Sequence, residues 1–227
     1  SGSVSGEPLE HSSSQQILRW AVETYGQDLL MTSSFGMNGV ALIHMLQEIT
    51  RIITILFIDT GYHFPETLKT KQRIEAKYGL KIQVLSPQLS IKDQAQMYGL
   101  DLFEHSPDLC CTLRKDEPMQ RALERLQPKA ILNARSRSQI KTGQDLPVIE
   151  RMMSPVWVHP LARWPHQQIE DYVRSNGVPY NPLHDRDYPS VGCWPCTRPL
   201  RPGEHIRAGR WTGRQKEECG LWATHYL

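Results

Sequence analysis

Cysteine is scarce in this 227-residue chain, with five residues in all. So small and odd a number argues against a disulfide framework. With no secretory signal at the start, a reducing cytoplasmic setting is expected, where thiols serve metals or catalysis. A charge bias is also missing: 26 Lys and Arg face 24 Asp and Glu, a formal net charge of +2. That balance carries no nucleic-acid footprint, so no nucleic-acid partner is expected. Long hydrophobic runs are absent too. The apolar stretch 52–58 is far shorter than the roughly 20 residues a membrane helix needs, so no membrane partner is expected either. There is no GK[ST] loop, no internal repeat and no low-complexity tract. The remainder is ordinary globular composition, 39% hydrophobic and 22% charged, in a length that suits one domain with a small extension.

What is present alternates. Apolar spacing predicts helices over 15–25, 40–49, 65–78, 112–126 and 165–176, and strands over 28–32, 52–58, 82–85 and 130–133. The run 52–58 is rich in β-branched residues, as in a central strand of a parallel sheet. The alternation predicts an α/β fold, a parallel sheet with helices on both faces. Residues 1–13 are small and polar and read as a disordered or appended leader, 14–177 as a nucleotide-binding α/β domain, and 178–227 as an irregular C-terminal segment. About fifty residues without periodicity need something other than a core to order them.

Ligands of an open parallel sheet bind beyond the carboxyl ends of its strands, where two loops stand out. Ser33-Ser34-Phe35-Gly36 precedes a helix and offers hydroxyls, backbone N–H groups and a helix dipole to an anion; an ordinary strand–helix turn is the plainer alternative. Asp59 and Thr60 end the second strand. They face a ribose, base or water, or else cap the next helix. The cysteines fall as an adjacent pair, Cys110 and Cys111, and a Cys193-Trp194-Pro195-Cys196 pair, with Cys219 alone. Neighbouring side chains diverge, so an adjacent pair suits a four-iron cluster better than one zinc. Structural zinc and unrelated buried thiols remain the alternatives. Bridging the two pairs would also order the C-terminal half. Cys219 stands near the chain end as a mobile nucleophile or an incidental thiol. Between 197 and 216, Arg198, Arg201, Arg207, Arg210, Arg214 and Lys216 face one acid, Glu204. In a near-neutral protein this is a local anion pocket or a solvated face.

SSFG, DTGYHFPET, CCTLRK, GCWPCTRP, RAGRW and KEECGL occur in that order. The chain resembles the assimilatory adenylyl-sulfate and phosphoadenylyl-sulfate reductases over nearly everything after the first dozen residues. The resemblance implies a Rossmann-like adenine-nucleotide α-hydrolase fold. It implies nucleotide contacts from Ser33, Ser34, Phe35, Gly36, Asp59 and Thr60, and anion contacts from Arg114, Lys115, Arg137, Arg207 and Arg210. The paired cysteines Cys110, Cys111, Cys193 and Cys196 would ligate a [4Fe–4S] cluster, which marks members acting on adenosine 5′-phosphosulfate (APS). Cys219 would take the sulfonate as S-sulfocysteine, releasing AMP. No sixth thiol exists to resolve that adduct, so thioredoxin or glutaredoxin is the implied reductant; a homo-oligomer is expected. Against the family's Gly-x-Arg-Arg-x-Gln, the chain has Ala134 and Ser136 in place of the glycine and first arginine, and Trp222 replaces a histidine of the tail. The rival readings are a reductase of the 3′-phosphorylated substrate (PAPS) or of both, an ATP pyrophosphatase or sulfur transferase, and a non-catalytic binding module.

Overall fold

The structure, a computed structural model, describes residues 7–140, 145–152 and 154–216. A short helix α1 (Glu7–Glu10) precedes α2 (Ser14–Tyr25). A capping box opens α2: Ser13 Oγ accepts the Gln16 N–H at 3.1 Å while Gln16 Oε1 accepts the Ser13 N–H at 2.8 Å. Then come β1 (Leu29–Thr32), α3 (Met37–Gln47), β2 (Thr54–Ile58), α4 (Pro65–Tyr78) and β3 (Lys81–Leu85). Three shorter helices follow, α5 (Ile91–Tyr98), α6 (Leu102–His105) and α7 (Pro107–Cys111). A π-helical turn over Thr112–Asp116 leads into α8 (Glu117–Leu126). The domain closes with β4 (Ala130–Leu132), β5 (Ile149–Glu150), β6 (Val156–Val158) and α9 (His166–Ser175).

The six strands lie in the order β3-β2-β1-β4-β6-β5, and every pair is parallel except β5 against β6. Alternation along the strands builds two apolar faces. Leu29 and Met31 of β1 and Ile55 and Phe57 of β2 join a large core shared with α2, α3 and α9. Leu30 and Leu56 point the other way, onto Met119 and Ala122 of α8. Both faces are therefore covered, as a parallel sheet requires. The strand order reverses direction between β1 and β4, the switch point at which such sheets open a crevice. Among the described residues no helix is long and apolar enough to cross a membrane.

Three boundaries differ from the sequence reading. The ordered chain does not begin at residue 14: Leu9 is buried, and Glu10 Oε1 accepts the Val148 N–H at 2.7 Å. The strand β2 starts after Ile52, which is 83% exposed, so the β-branched run overstates it. The helix expected from Thr112 starts at Pro107 and reaches Leu126 through the π-helical turn. Pro118 falls just after that π-helical turn, at the second residue of α8.

Among the described residues from Val178 to Lys216 the chain is irregular apart from short 3-10 turns at Pro182–Arg186 and Trp194–Cys196. Isolated bridges hold it, His63 with Cys193 and Thr197 with Arg210. Glu204, the single acid of the basic stretch, accepts from Arg198 Nη1 and Nη2 at 2.8 Å each and from the Arg201 N–H at 2.7 Å. The Arg198 guanidinium holds its carboxyl down to about 2. Gly209 makes the return of this loop possible, since a Cβ there would stand 2.3 Å from the Arg198 carbonyl oxygen. Gly209→Ala is expected to cost about 1–3 kcal/mol, because backbone has to move. Thermal denaturation against wild type measures it, and faster tryptic cleavage after Arg207 and Arg210 locates it.

Candidate active site

Two adjoining cavities lie at the carboxyl edge of the sheet. The larger, about 240 Å³, sits over the switch point. The loop after β1 supplies Ser33, Ser34 and Gly36, and the loop after β4 supplies Asn133, Ala134 and Arg135. Side-chain amides lock these two loops together. Asn133 Nδ2 donates to Thr32 Oγ1 at 3.0 Å, and Asn38 Nδ2 donates to the Ala134 carbonyl at 2.9 Å. Phe35 holds the first loop from beneath. Its backbone is left-handed, with φ 57°, and its ring is fully buried 5.5 Å from that of Phe57. The loop thus leaves Ser33 and Ser34 at the N-terminus of α3, where the helix dipole favours an anion.

Cations line this cleft: Lys115, Arg135, Arg207 and Arg210, and no described carboxylate lines it with them. Arg207 and Arg210 meet on one hydroxyl, donating to Ser190 Oγ at 3.4 and 3.3 Å. Arg210 also lies 4.4 Å over the Trp211 ring, and its Nε has no hydrogen-bond partner. Thr60 and His63 complete the wall next to β2. His63 stacks on Phe57 and its Nε2 donates to the Ile58 carbonyl at 2.7 Å, which fixes the tautomer. Burial pushes its pKa down, so the ring is neutral at pH 7.

The smaller cavity is lined by all four paired cysteines, with Tyr62, Phe103, Arg114 and Trp211. Cys110 and Cys111 are successive residues at the end of α7, about 100° apart around its axis, so both face a space only if it is broad. The π-helical turn that follows is a feature often found at functional sites. Cys193 and Cys196 bracket the 3-10 turn opposite. Polar groups approach the sulfurs: Gln94 Nε2 lies 3.9 Å from Cys110 Sγ, Thr60 Oγ1 3.3 Å from Cys193 Sγ, and Arg214 Nη1 3.5 Å from Cys196 Sγ. Burial first, then the neighbouring Cys193 sulfur, pushes the Cys110 and Cys196 thiols up. Two such sulfurs become thiolates together only around a cation. Among the described residues no group of three or more His, Cys, Asp or Glu is arranged to hold a metal ion. A four-iron cluster asks for something else, four thiolates standing around a space, each with its own iron. The donor set fits that demand.

Lys115, Cys193 and Arg210 line both cavities, so the wall between them is one side chain thick. Several residues expected at the nucleotide lie elsewhere. Phe35 faces the core. Asp59 Oδ1 caps its own turn, accepting the Gly61 N–H at 3.0 Å. Arg114 is buried behind the cysteines, donating to the Leu89 carbonyl at 3.1 Å, to Gln94 Oε1 at 3.0 Å and to the Thr60 carbonyl. Arg137 turns away to the Leu146 carbonyl at 2.9 Å and to Glu10 at 3.1 Å. Two residues earlier, Arg135 takes the place in the cleft, because Asn133 Oδ1 accepts its N–H at 2.9 Å and folds the loop inward. Ser136, where the motif has arginine, is fully buried. Cys219 and Trp222 lie outside the described residues.

A cation-walled cleft at the switch point of a parallel sheet, bordered by a four-cysteine cavity, defines a nucleotide-binding α/β protein built to hold an oxyanion. A family model described as the phosphoadenosine phosphosulfate reductase domain matches residues 28–199. The adenosine 5′-phosphosulfate reductase of Deinococcus radiodurans is 44% identical over 208 residues, spanning 92% of this chain and 81% of that protein. The crystal structure of phosphoadenylyl-sulfate reductase from Candida auris, a phosphate complex, superposes with a TM-score of 0.76 at 36% identity, covering 85% of this chain and 94% of that one. Candida glabrata FMN adenylyltransferase, at 12% identity and a TM-score of 0.63 over 96% of this chain and 77% of its own, shares the fold. The chain belongs to the phosphoadenosine phosphosulfate reductase family.

Proposed function

We propose that the protein is an oxidoreductase that cleaves APS to sulfite and AMP with electrons from thiols. The observation that carries this reading is the juxtaposition of a cation-lined nucleotide cleft with a cavity of four cysteines, sharing Lys115, Cys193 and Arg210. Ser33, Ser34, Gly36 and Thr60 hold the nucleotide, with Arg135 rather than Arg137 beside them. Lys115, Arg207 and Arg210 receive the phosphosulfate. Cys110, Cys111, Cys193 and Cys196 hold the [4Fe–4S] cluster, which when bound supplies a fixed charged body beside the cleft.

The chemistry divides into two displacements. The Cys219 thiolate attacks the sulfate sulfur, an S–S bond forms, and the bond to the phosphate oxygen breaks. AMP leaves with the electron pair on that oxygen, where Lys115, Arg207 and Arg210 stabilise the charge. The second displacement needs an outside thiol, because the other four cysteines are ligands. A thioredoxin or glutaredoxin thiolate attacks Cys219 Sγ, sulfite departs, and the mixed disulfide is resolved by the partner's second thiol. The two electrons come from thiols alone.

Incubation with radiolabelled APS without reductant tests this. Sulfite-releasable label on the C-terminal peptide supports it, and its absence refutes it. Lys115→Met is expected to lower kcat/KM about 10²- to 10³-fold, the usual effect of removing one charge-stabilising group; steady-state kinetics read it. PAPS is the alternative substrate, favoured by Arg135 as a cation beyond the three assigned to the phosphosulfate. Turnover on PAPS equal to that on APS would establish dual specificity.

A further inference from the structure

The 3-10 turn Pro182–Arg186 brings a histidine to the wall of the larger cavity and fixes it there. Asn181, 1% exposed, ties the turn to α4: its Nδ2 donates to Thr67 Oγ1 at 3.1 Å, and its Oδ1 accepts the Leu183 N–H at 3.0 Å. On the outer side Asp185 accepts from Tyr180 Oη at 2.7 Å and from Arg174 Nη2 at 2.8 Å. The chain then turns back through Asp187, at φ 65°, and the Tyr188 N–H donates to the Leu183 carbonyl at 3.2 Å. These bonds set the Tyr188 carbonyl 2.8 Å from His184 Nδ1. A carbonyl only accepts, so Nδ1 carries the proton. Burial, with His166 nearby, pushes the imidazole pKa down, so the ring is neutral at pH 7 and Nε2 keeps its lone pair. That nitrogen is buried, and it has no hydrogen-bond partner among the described residues. A buried acceptor left without a donor is costly and therefore uncommon, and here it belongs to a residue of the cleft wall.

We propose that His184 reads the nucleoside of the substrate, its Nε2 accepting a hydrogen bond from a neutral N–H or O–H group of the adenosine. The cations of the cleft, Lys115, Arg135, Arg207 and Arg210, are donors only and suit the anionic end of the ligand. A neutral acceptor gains nothing from that end. The nucleoside is where donors lie, in the amino group of adenine and the 2′- and 3′-hydroxyls of ribose. A site that hydrogen-bonds such a group rejects the analogue lacking it, because its own polar atom is then left unpaired. Where the partner is the 3′-hydroxyl, the residue also bears on the choice between APS and PAPS, since a 3′-phosphate is mainly an acceptor at pH 7. His184 is on this assignment a specificity-determining residue, and the assignment rests on the nucleotide reading above.

The test measures AMP binding by calorimetry to the full-chain wild type, His184→Asn and His184→Gln. An asparagine amide keeps a donor for the Tyr188 carbonyl and places nothing at the Nε2 position, whereas a glutamine amide carries an oxygen close to it. His184→Asn is expected to bind AMP about five- to tenfold more weakly, and His184→Gln to recover part of that loss. Purine riboside 5′-monophosphate, 2′-deoxy-AMP and 3′-deoxy-AMP locate the donor. One of the three is expected to bind wild type about five- to tenfold more weakly than AMP does, yet to bind His184→Asn as well as AMP does, because that pair is already lost. An equal loss for AMP and all three analogues in His184→Asn marks a merely structural role and overturns the proposal, as does wild-type AMP affinity in that variant. If wild type binds no AMP, the nucleotide reading falls and the His184 assignment with it; if wild type binds AMP and both variants match it, the assignment alone falls.

Discussion

Cys219→Ser is expected to abolish sulfite release, by roughly 10⁴-fold or more, while iron content and AMP affinity stay at wild-type values. In the proposed chemistry the thiolate is the only group that accepts the sulfonate. A serine hydroxyl at the same place is almost wholly protonated at neutral pH and lacks an assigned base to activate it. The other four cysteines are poorly placed to take over, since three line only the smaller cavity and Cys193 stands in the wall between the two. Coupled assays with thioredoxin measure the loss. Mass analysis of the C-terminal peptide after APS treatment shows whether the adduct has vanished with it. Residual turnover within tenfold of wild type would move the nucleophile to another residue.

Cys110→Ser is expected to remove iron and activity together. Cys110 is 7% exposed and packs with Tyr62, Leu102 and Phe103, so it is largely shielded from water. A hydroxyl there is a poor ligand for iron and leaves a buried polar group in an apolar site, a loss of about 1–3 kcal/mol before the missing ligand is considered. Iron analysis and the visible absorption of the purified protein read the first loss, and the labelling assay reads the second. In iron-free wild type the same thiol is expected to resist alkylation at pH 7, because burial and then the Cys193 and Cys196 sulfurs push it up and keep it protonated. Fast alkylation of Cys110 in that form would contradict the crowding on which the cluster assignment depends.

Local chemistry was legible where one residue type answers one demand. The β-branched run at 52–58 marks β2, though it runs two residues long at its start, and Pro65 opens α4 as expected. Short strands were not. The strand β6 has three residues between prolines, and β5 has two, too few for a period to register. The helices over 91–111 were missed because each buries only a few side chains around the cysteine cavity, not a long stripe on the sheet. The direction of each side chain at the cleft was not legible. Arg137 and Arg135 are alike in sequence, and only the Asn133 turn and the Glu10 carboxylate decide which one enters the cleft. Arg114 and Lys115 are neighbours, yet the first is spent on three carbonyl or amide oxygens and only the second reaches the cleft. Asn38, Asn133 and His184, which line the cleft, carried no motif that would have marked them.

The partition of Lys115, Cys193 and Arg210 has an evolutionary corollary. On the proposed assignment, a lineage that abandoned iron could not simply drop its cysteines, because Cys193 stands in the wall that also faces the cleft. Each loss on the mineral side would have to be answered by new packing on the organic side, in the same generation of changes. Descendants without iron should therefore differ most, not at the adenosine end of the crevice, but along this shared partition.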